Sequence, residues 1–388
     1  MTATHAIPLV VRLCFIVESG TDVRMVDQLA ARTDLTVLAR PIEGGVSISR
    51  APARKAAILA GPARRVRFAA FVFRHLRRTR SGCDAALVQG YGPAALAANL
   101  AARLGGPKAL LLVCSPVEAY YRCRRLDPDS RRPWSAFVYA GIVVLARLNA
   151  MLARGYAVLS RHLESVVRGH GATCPVHVVP VYGVDGAVFR PADVSREELR
   201  RRLGLPERGA LAFFSSRIAP EKDTGTVLEA VRLLRAGGRD VRLLHRSGGW
   251  REMMALAQSR GLGEAVIATD AVHPEHELPL SYQASDVCVQ ASIEEGLGFS
   301  VLEAMGCGTP VVASAVGGLL ETVRDGETGW SVPPRDAPAL AAAIADVLDR
   351  PEEARRRADR ARAMVLADYS AGRAFERLVD VLGGGAAA

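Results

Sequence analysis

At 388 residues the chain exceeds one ordinary hydrophobic core, which stops growing near ~250 residues, and suits two domains. Its 49% hydrophobic content, 36 Gly and 21 Pro exclude a fibrous or disordered chain and fit an α/β protein with many short strand-to-helix turns. The net charge of +10 is lopsided, with 26 Lys and Arg against 12 Asp and Glu in residues 1–195 and 24 against 28 in residues 196–388. The first half therefore favours an anionic partner, whether a membrane surface, a phosphorylated acceptor or nucleic acid.

In chain order, Leu9 to Val17 predicts a buried strand, Glu18-Ser19-Gly20-Thr21 a glycine turn, and Asp22 to Ala31 a helix. Apolar strands recur at Leu35–Leu38, Ala85–Val88, Ala109–Val113, Tyr156–Leu159 and Val176–Pro180, with helical patterns between most of them. Strands alternating with helices imply a parallel sheet wound on both faces. The polar stretch Arg190 to Ser195 reads as a linker, and Ser195 with Glu198 as a capping box opening a short helix. The rhythm restarts with strands at Ala210–Ser215, Val241–His245, Ala265–Ala268, Val287–Gln290 and Pro310–Ala313. The expected domains are residues 1–192, residues 193–366, and a C-terminal crossover helix with a frayed tail at 367–388.

Seven Cys without CxxC or Cys/His spacing suggest neither a disulfide framework nor a zinc site, and a reducing cytoplasm is the default. No signal peptide is expected at the N-terminus, and the longest apolar run, Ala136 to Ala146, is too short for a span of ~20 residues. Residues 64–80 hold seven Arg flanking Val66, Phe73 and Leu76 at near-helical spacing. Two readings stand side by side: a basic amphipathic helix on an anionic lipid surface, or a core-packing helix with a solvated basic face.

Ligands of open parallel sheets sit at the carboxyl ends of strands. The strand ending at Gln290 feeds a loop, Ala291 to Gly298, and then a helix. Gly296 and Gly298 permit close backbone approach, and the next helical turn offers N–H groups to an anion such as a diphosphate. Glu295 and Glu303, eight residues apart, can project towards one cleft, one to a sugar and the other to a ribose. A bare pair at that spacing more often describes only a helix carboxylate and a tight turn.

The longer string is more specific. Glu295-Gly-Leu-Gly-Phe-Ser-Val-Leu-Glu303-Ala-Met, followed by Gly308-Thr309-Pro310 and Gly317-Gly318, resembles glycosyltransferase family 4, the retaining family of GT-B fold. Arg217-Ile-Ala-Pro-Glu-Lys222, Ser285-Asp286, Asp325-Gly-Glu-Thr-Gly329 and Tyr182-Gly-Val-Asp185 follow the same family pattern, over most of residues 155–370. The resemblance implies a GT-B enzyme of two Rossmann-like domains facing across a cleft. It moves a sugar from a nucleotide-sugar donor to a hydroxyl acceptor with retention, and with neither cofactor nor essential metal.

By the same resemblance, Arg217 and Lys222 clamp the donor diphosphate, Glu295 contacts sugar hydroxyls, and Glu303 holds the ribose. Gly20, Gly296, Gly298, Phe299, Ser300 and Val301 line the donor. The family's His after the fourth strand is absent, with Ser115 or Glu118 in its stretch, and its usual Asn is Tyr182. These three residues are the acceptor-side candidates. Asp127-Pro-Asp129 is a formal DxD in an Arg-rich stretch, read as a solvated loop rather than a metal site. The expected acceptor is lipid-linked or a membrane-associated glycan, with the protein cytoplasmic and peripheral on the inner face of the membrane and nucleic acid disfavoured by the 5% aromatic content. The alternatives are a GT-B sugar-nucleotide 2-epimerase and a non-catalytic sugar-nucleotide-binding protein.

Overall fold

A computed structural model describes residues 11–42, 45–46, 56–125 and 134–383. Leu9, Val10, Asp127 and Asp129 lie outside these residues. The chain divides into two compact units.

Unit 1 comprises residues 1–115, 136–182 and 372–388. Its strands are β1 (Arg12–Val17), β2 (Asp34–Ala39), β3 (Ala57–Ala60), β4 (Ala85–Gln89), β5 (Lys108–Val113), β6 (Tyr156–Val158) and β7 (Val176–Val178). They pair in parallel in the order β3-β2-β1-β4-β5-β6-β7. The central strands are almost wholly buried, as the continuous apolar runs require of a sheet covered on both faces. Its helices are α1 (Val23–Ala30), α2 (Arg65–Arg78), α3 (Pro93–Arg103), α5 (Ser135–Leu152), α6 (Arg161–Gly169) and α15 (Ala371–Gly383); α4 (Val117–Arg125) lies in unit 2. The edge strand β3, with all four residues exposed, has no alternation that would have marked it in the sequence.

Unit 2 comprises residues 116–135 and 183–371. Its strands β8 (Ala210–Phe213), β9 (Val241–Arg246), β10 (Val266–Thr269), β11 (Val287–Gln290), β12 (Val311–Ser314) and β13 (Trp330–Val332) pair in parallel in the order β10-β9-β8-β11-β12-β13. Around them lie α4, α7 (Arg196–Arg202), α8 (Thr224–Ala236), α9 (Trp250–Ser259), α10 (Leu278–Gln283), α11 (Phe299–Gly306), α12 (Leu319–Thr322), α13 (Ala337–Asp349) and α14 (Pro351–Asp368). Both sheets are thus doubly wound, as expected.

After residues 116–135 the second unit resumes at Gly183, ten residues before the expected boundary at 193. The reason is local. Val184 donates its N–H to the Tyr369 carbonyl at 2.7 Å and accepts from Ala371, and Phe189 is buried with its ring 6.4 Å from that of Tyr282. Gly183 sits at φ 40° with Ala371 where a Cβ would go, which explains the glycine of the Gly-Val-Asp motif. The helical region expected from Pro351 to Leu382 is two helices separated at Tyr369-Ser370, and the unit changes after Ala371.

Several motif residues serve the fold. Asp286 accepts from the Leu211 N–H, Arg200 and Arg196, tying α7 to the starts of β8 and β11. Ser195 caps α7 by accepting from the Glu198 N–H at 3.2 Å. Thr328 bonds the Thr322 carbonyl and the Arg324 N–H, closing the Asp325–Gly329 turn.

The basic helix α2 buries Phe68, Val72 and Leu76, a stripe at i, i+4 spacing, while Val66 is exposed. Its apolar face is therefore spent on the core of unit 1, and its arginines face outward. A buried polar pair seats α5: Asn149 accepts from Asn99 Nδ2 at 2.9 Å and donates to the Tyr91 carbonyl at 2.9 Å. Asn149→Ala strands both partners, which costs about 1–3 kcal/mol. The expected result is a fall of several degrees in the unfolding temperature of the full chain, measured by calorimetry.

Candidate functional site

The order of the second sheet reverses between β8 and β11, the strands from which the chain runs off in opposite directions. A crevice outside the carboxyl ends of such strands is where doubly wound sheets bind ligands. The loop after β8 carries Arg217, Glu221 and Lys222, and the loop after β11 carries Ser292, Glu294, Glu295, Gly296 and Gly298. The structure thus brings Arg217 and Lys222 together with Glu295, more than seventy positions further along the chain.

Lys222 donates to Glu295 Oε2, and both side chains are nearly buried. The same oxygen accepts from Ser292 at 3.0 Å and Gln290 Nε2 at 3.1 Å. Glu221, 0% exposed, accepts from Arg217 Nη2 at 2.7 Å and from Arg124 Nε at 2.8 Å. Burial works to raise the carboxyl pKa, but the Arg124 hydrogen bond and the two guanidinium charges outweigh it, so Glu221 lies below the usual carboxylate range. The loops are also joined by backbone, the Ile293 N–H donating to the Glu221 carbonyl at 2.8 Å. Asp223 turns the chain in the left-handed region, at φ 48° and ψ 56°, and caps α8 by accepting from Thr226.

Gly298 stands at φ 91° as the N-cap of α11, where an L side chain is strained. Gly318 closes on the loop from behind, since a Cβ there would collide with the Gly296 carbonyl oxygen, and its N–H bonds the Glu295 carbonyl at 3.0 Å. Within the stretch from Gly298 to Val301, the Val301 amide is engaged with the Gly298 carbonyl at 3.0 Å, and Ser300 Oγ donates to Gln290 at 3.2 Å. Phe299 opens the helix between them. Glu303 is buried, with Oε2 accepting from Tyr282 at 3.0 Å; burial and this carboxylate together keep the Tyr282 phenol protonated.

Two residues that periodicity could not single out organise these groups. Gln290, the last residue of β11, is fully buried; its amide donates to Ser292 and Glu295 and accepts from Ser216 and Ser300. A Gln ending an otherwise apolar strand is the available signal. The second is Tyr120 on α4. Its hydroxyl is 3.5 Å from Glu295 Oε1, and the Gly296 N–H points at that hydroxyl's oxygen. Burial, then the neighbouring Glu295, push its pKa far up, so it is a neutral donor.

The acceptor-side candidates do not form one cluster within either unit. Ser115 and Tyr182 belong to unit 1 and Glu118 to unit 2. Tyr182, at φ 78°, bonds Thr21 Oγ1 at 3.0 Å. The α4 residues that reach the loops are Tyr120, Arg122 and Arg124, with Arg122 lying 3.6 Å from Glu294. In unit 1, Gly20 follows β1 at φ 98°, accepting from Gln89. The buried Glu18 beside it accepts from the Ala94 N–H at the start of α3.

The sequence model for "Glycosyl transferases group 1" matches residues 195–364. The 2-deoxystreptamine glucosyltransferase of Streptomyces kanamyceticus is 33% identical over 295 residues, 75% of this chain and 70% of that protein. The chain belongs to this family. The D-inositol 3-phosphate glycosyltransferase of Acidothermus cellulolyticus is 37% identical over 188 residues, but the match spans 45% of this chain and 40% of that protein. Among solved structures, the sucrose-phosphate synthase of Thermosynechococcus elongatus shares the GT-B fold with a TM-score of 0.77 at 22% identity, over 96% of this chain and 99% of that one.

Glu221 offers a direct test of the loop electrostatics. A carboxyl with a depressed folded pKa contributes stability above its unfolded pKa of about 4.3 and loses it as pH falls. Glu221→Gln should therefore unfold at a lower temperature than the wild type at pH 7. The gap should narrow below about pH 4.3. Parallel melting curves across pH would show that the carboxylate is not held ionised.

Proposed function

We propose that the chain is a retaining, family 4 hexosyltransferase. It transfers a sugar from a nucleotide-sugar donor to a hydroxyl of a lipid-linked or membrane-associated glycan, in the cytoplasm at the inner face of the membrane. The observation that carries the donor reading is the convergence of Arg217, Lys222 and Glu295 at the switch point of the second sheet. Two cations beside a glycine loop suit a diphosphate, and a buried carboxylate next to them suits sugar hydroxyls. The glucosyltransferase name of the Streptomyces relative supports a hexosyl donor. The outward arginines of α2 support an anionic environment for the acceptor.

In this reading the bond from the anomeric carbon to the diphosphate breaks, and a bond to the acceptor oxygen forms on the same face. The acceptor proton passes to the departing phosphate. Arg217, more than half exposed, and Lys222 balance the charge that grows on the leaving group without a metal. Glu295 commits Oε2 to Lys222, Ser292 and Gln290, so Oε1 is the oxygen directed to the sugar. Tyr120 stands there as a sugar hydroxyl would, donating to Oε1 and facing the Gly296 N–H. Donor binding therefore displaces the Tyr120 hydroxyl. Glu303 serves the ribose.

A thermal-shift screen of nucleoside diphosphates and their sugars tests the donor, since a ligand of the folded state raises its stability. The absence of any shift would sink the reading. Lys222→Ala should lower kcat/KM by about 100-fold or more, the cost of losing one preorganised charge. Conversion of a donor without acceptor would indicate the epimerase instead. Tyr120→Phe should tighten the nucleotide sugar several-fold while leaving the nucleoside diphosphate unchanged; equal or weaker sugar-nucleotide binding by calorimetry would remove the displacement.

A further inference from the structure

Helix α5 is inverted relative to an ordinary surface helix. At 100° per residue, Phe137, Val144, Leu148 and Met151 fall within an arc under ~100° wide, and Trp134, just before the helix, extends it. All five are exposed, Trp134, Phe137 and Met151 by more than 70%. The opposite side carries Ser135, Ala146, Asn149 and Ala150, all buried. Small and polar residues are inside and large apolar ones outside.

The helix is the one stretch among the described residues with the length and apolarity of a membrane span. It is not free to span. Asn149 is wholly buried and bonded to Asn99, and Arg103 donates to the Met151 and Leu152 carbonyls at the helix end. The helix is therefore held on unit 1 by its inner side, and its outer side lies along the surface over ~27 Å.

Charge selects the occupant. Between Asp129 and Glu164 there is no acidic residue, whereas Arg131, Arg132, Arg147, Arg154 and Arg161 fall in that interval. Arg147, Arg154 and Arg161 are exposed. A second copy docked symmetrically would set this patch against itself, arginine facing arginine with no carboxylate to pair. An anionic lipid surface accepts both components, with acyl chains for the aromatic and aliphatic side chains and headgroup phosphates for the arginines. A Trp at the end of such a stripe suits the boundary between the two.

We propose that the outer face of α5, and not the apolar face of α2, docks the protein on an anionic bilayer. This deepens the reading of a membrane-associated acceptor, but it concerns the outer face of α5 alone and its test uses neither donor nor acceptor. Failure here leaves the nucleotide thermal-shift result untouched.

The experiment is co-sedimentation of the full chain with vesicles of phosphatidylcholine alone or mixed with phosphatidylglycerol. Wild-type protein should partition to the anionic vesicles at least 10-fold better, and less well as salt rises. The pair Phe137→Glu with Met151→Glu should lose most of that binding with an unchanged melting temperature, because both side chains are exposed. Arg74→Glu with Arg78→Glu on α2 should weaken it by a smaller factor. Equal binding to both vesicle types, or wild-type binding by the Phe137/Met151 variant, would overturn the proposal. So would a lipid-free dimer in sedimentation velocity that this variant dissociates, which would identify a second copy as the occupant.

Discussion

A carboxylate with no access to water must be paired, and Glu221 is such a carboxylate. Its two arginines both precede it in sequence, Arg217 by four residues and Arg124, from α4, by nearly a hundred. Removing either arginine takes away one of the two cationic partners of this buried carboxylate. The loop after β8 is consequently held in one shape: Glu221 fixes the guanidinium of Arg217, its carbonyl takes the Ile293 N–H, and the next residue, Lys222, is delivered to Glu295. The cost of the left-handed turn at Asp223 is offset by its cap on α8, so the loop also starts the following helix.

The same constraint leaves these two loops with an excess of positive charge. Lys222 is neutralised by Glu295, whereas Arg217 and Arg124 share the one carboxylate of Glu221. Gln290 makes the two loops one unit, because its amide serves both the loop after β8, through Ser216, and the loop after β11, through Ser292 and Glu295. A neutral amide suits that position, since it donates to a carboxylate and accepts from hydroxyls without adding charge.

The doubly wound architecture was legible in the alternation of apolar strands and helical patterns, and the two loops of the second sheet in their glycines and charged motif residues. What was not legible depends on three-dimensional partners. The exposed β3 and the three-residue β13 are defined by the strands beside them. In the sequence Tyr120 and Arg124 stand beside an Arg-rich stretch of the first half, and only the fold places them on carboxylates of the second. That matters for the charge argument, because Arg122 and Arg124 were counted towards an external anionic partner although Glu294 and Glu221 lie next to them. The Gly317-Gly318 pair was recognisable as a motif, but its reason, contact with the Gly296 carbonyl, is a packing fact.

Helices α2 and α5 show where periodicity misleads. In α2 the polar residues are charged, so the pattern announces an apolar face, and that face turns out to be committed to the core at Phe68, Val72 and Leu76. In α5 hardly any residue is charged, so hydropathy alone distinguishes no face. The distinction lies in size and hydrogen bonding. Ala146 and Ala150 allow close approach of the helix to unit 1, and Asn149 finds partners only on that side, so the bulky residues are forced outward. A helix is oriented by what its neighbours can accommodate as well as by what water rejects, and here the buried Asn pair decides which apolar residues remain on the surface.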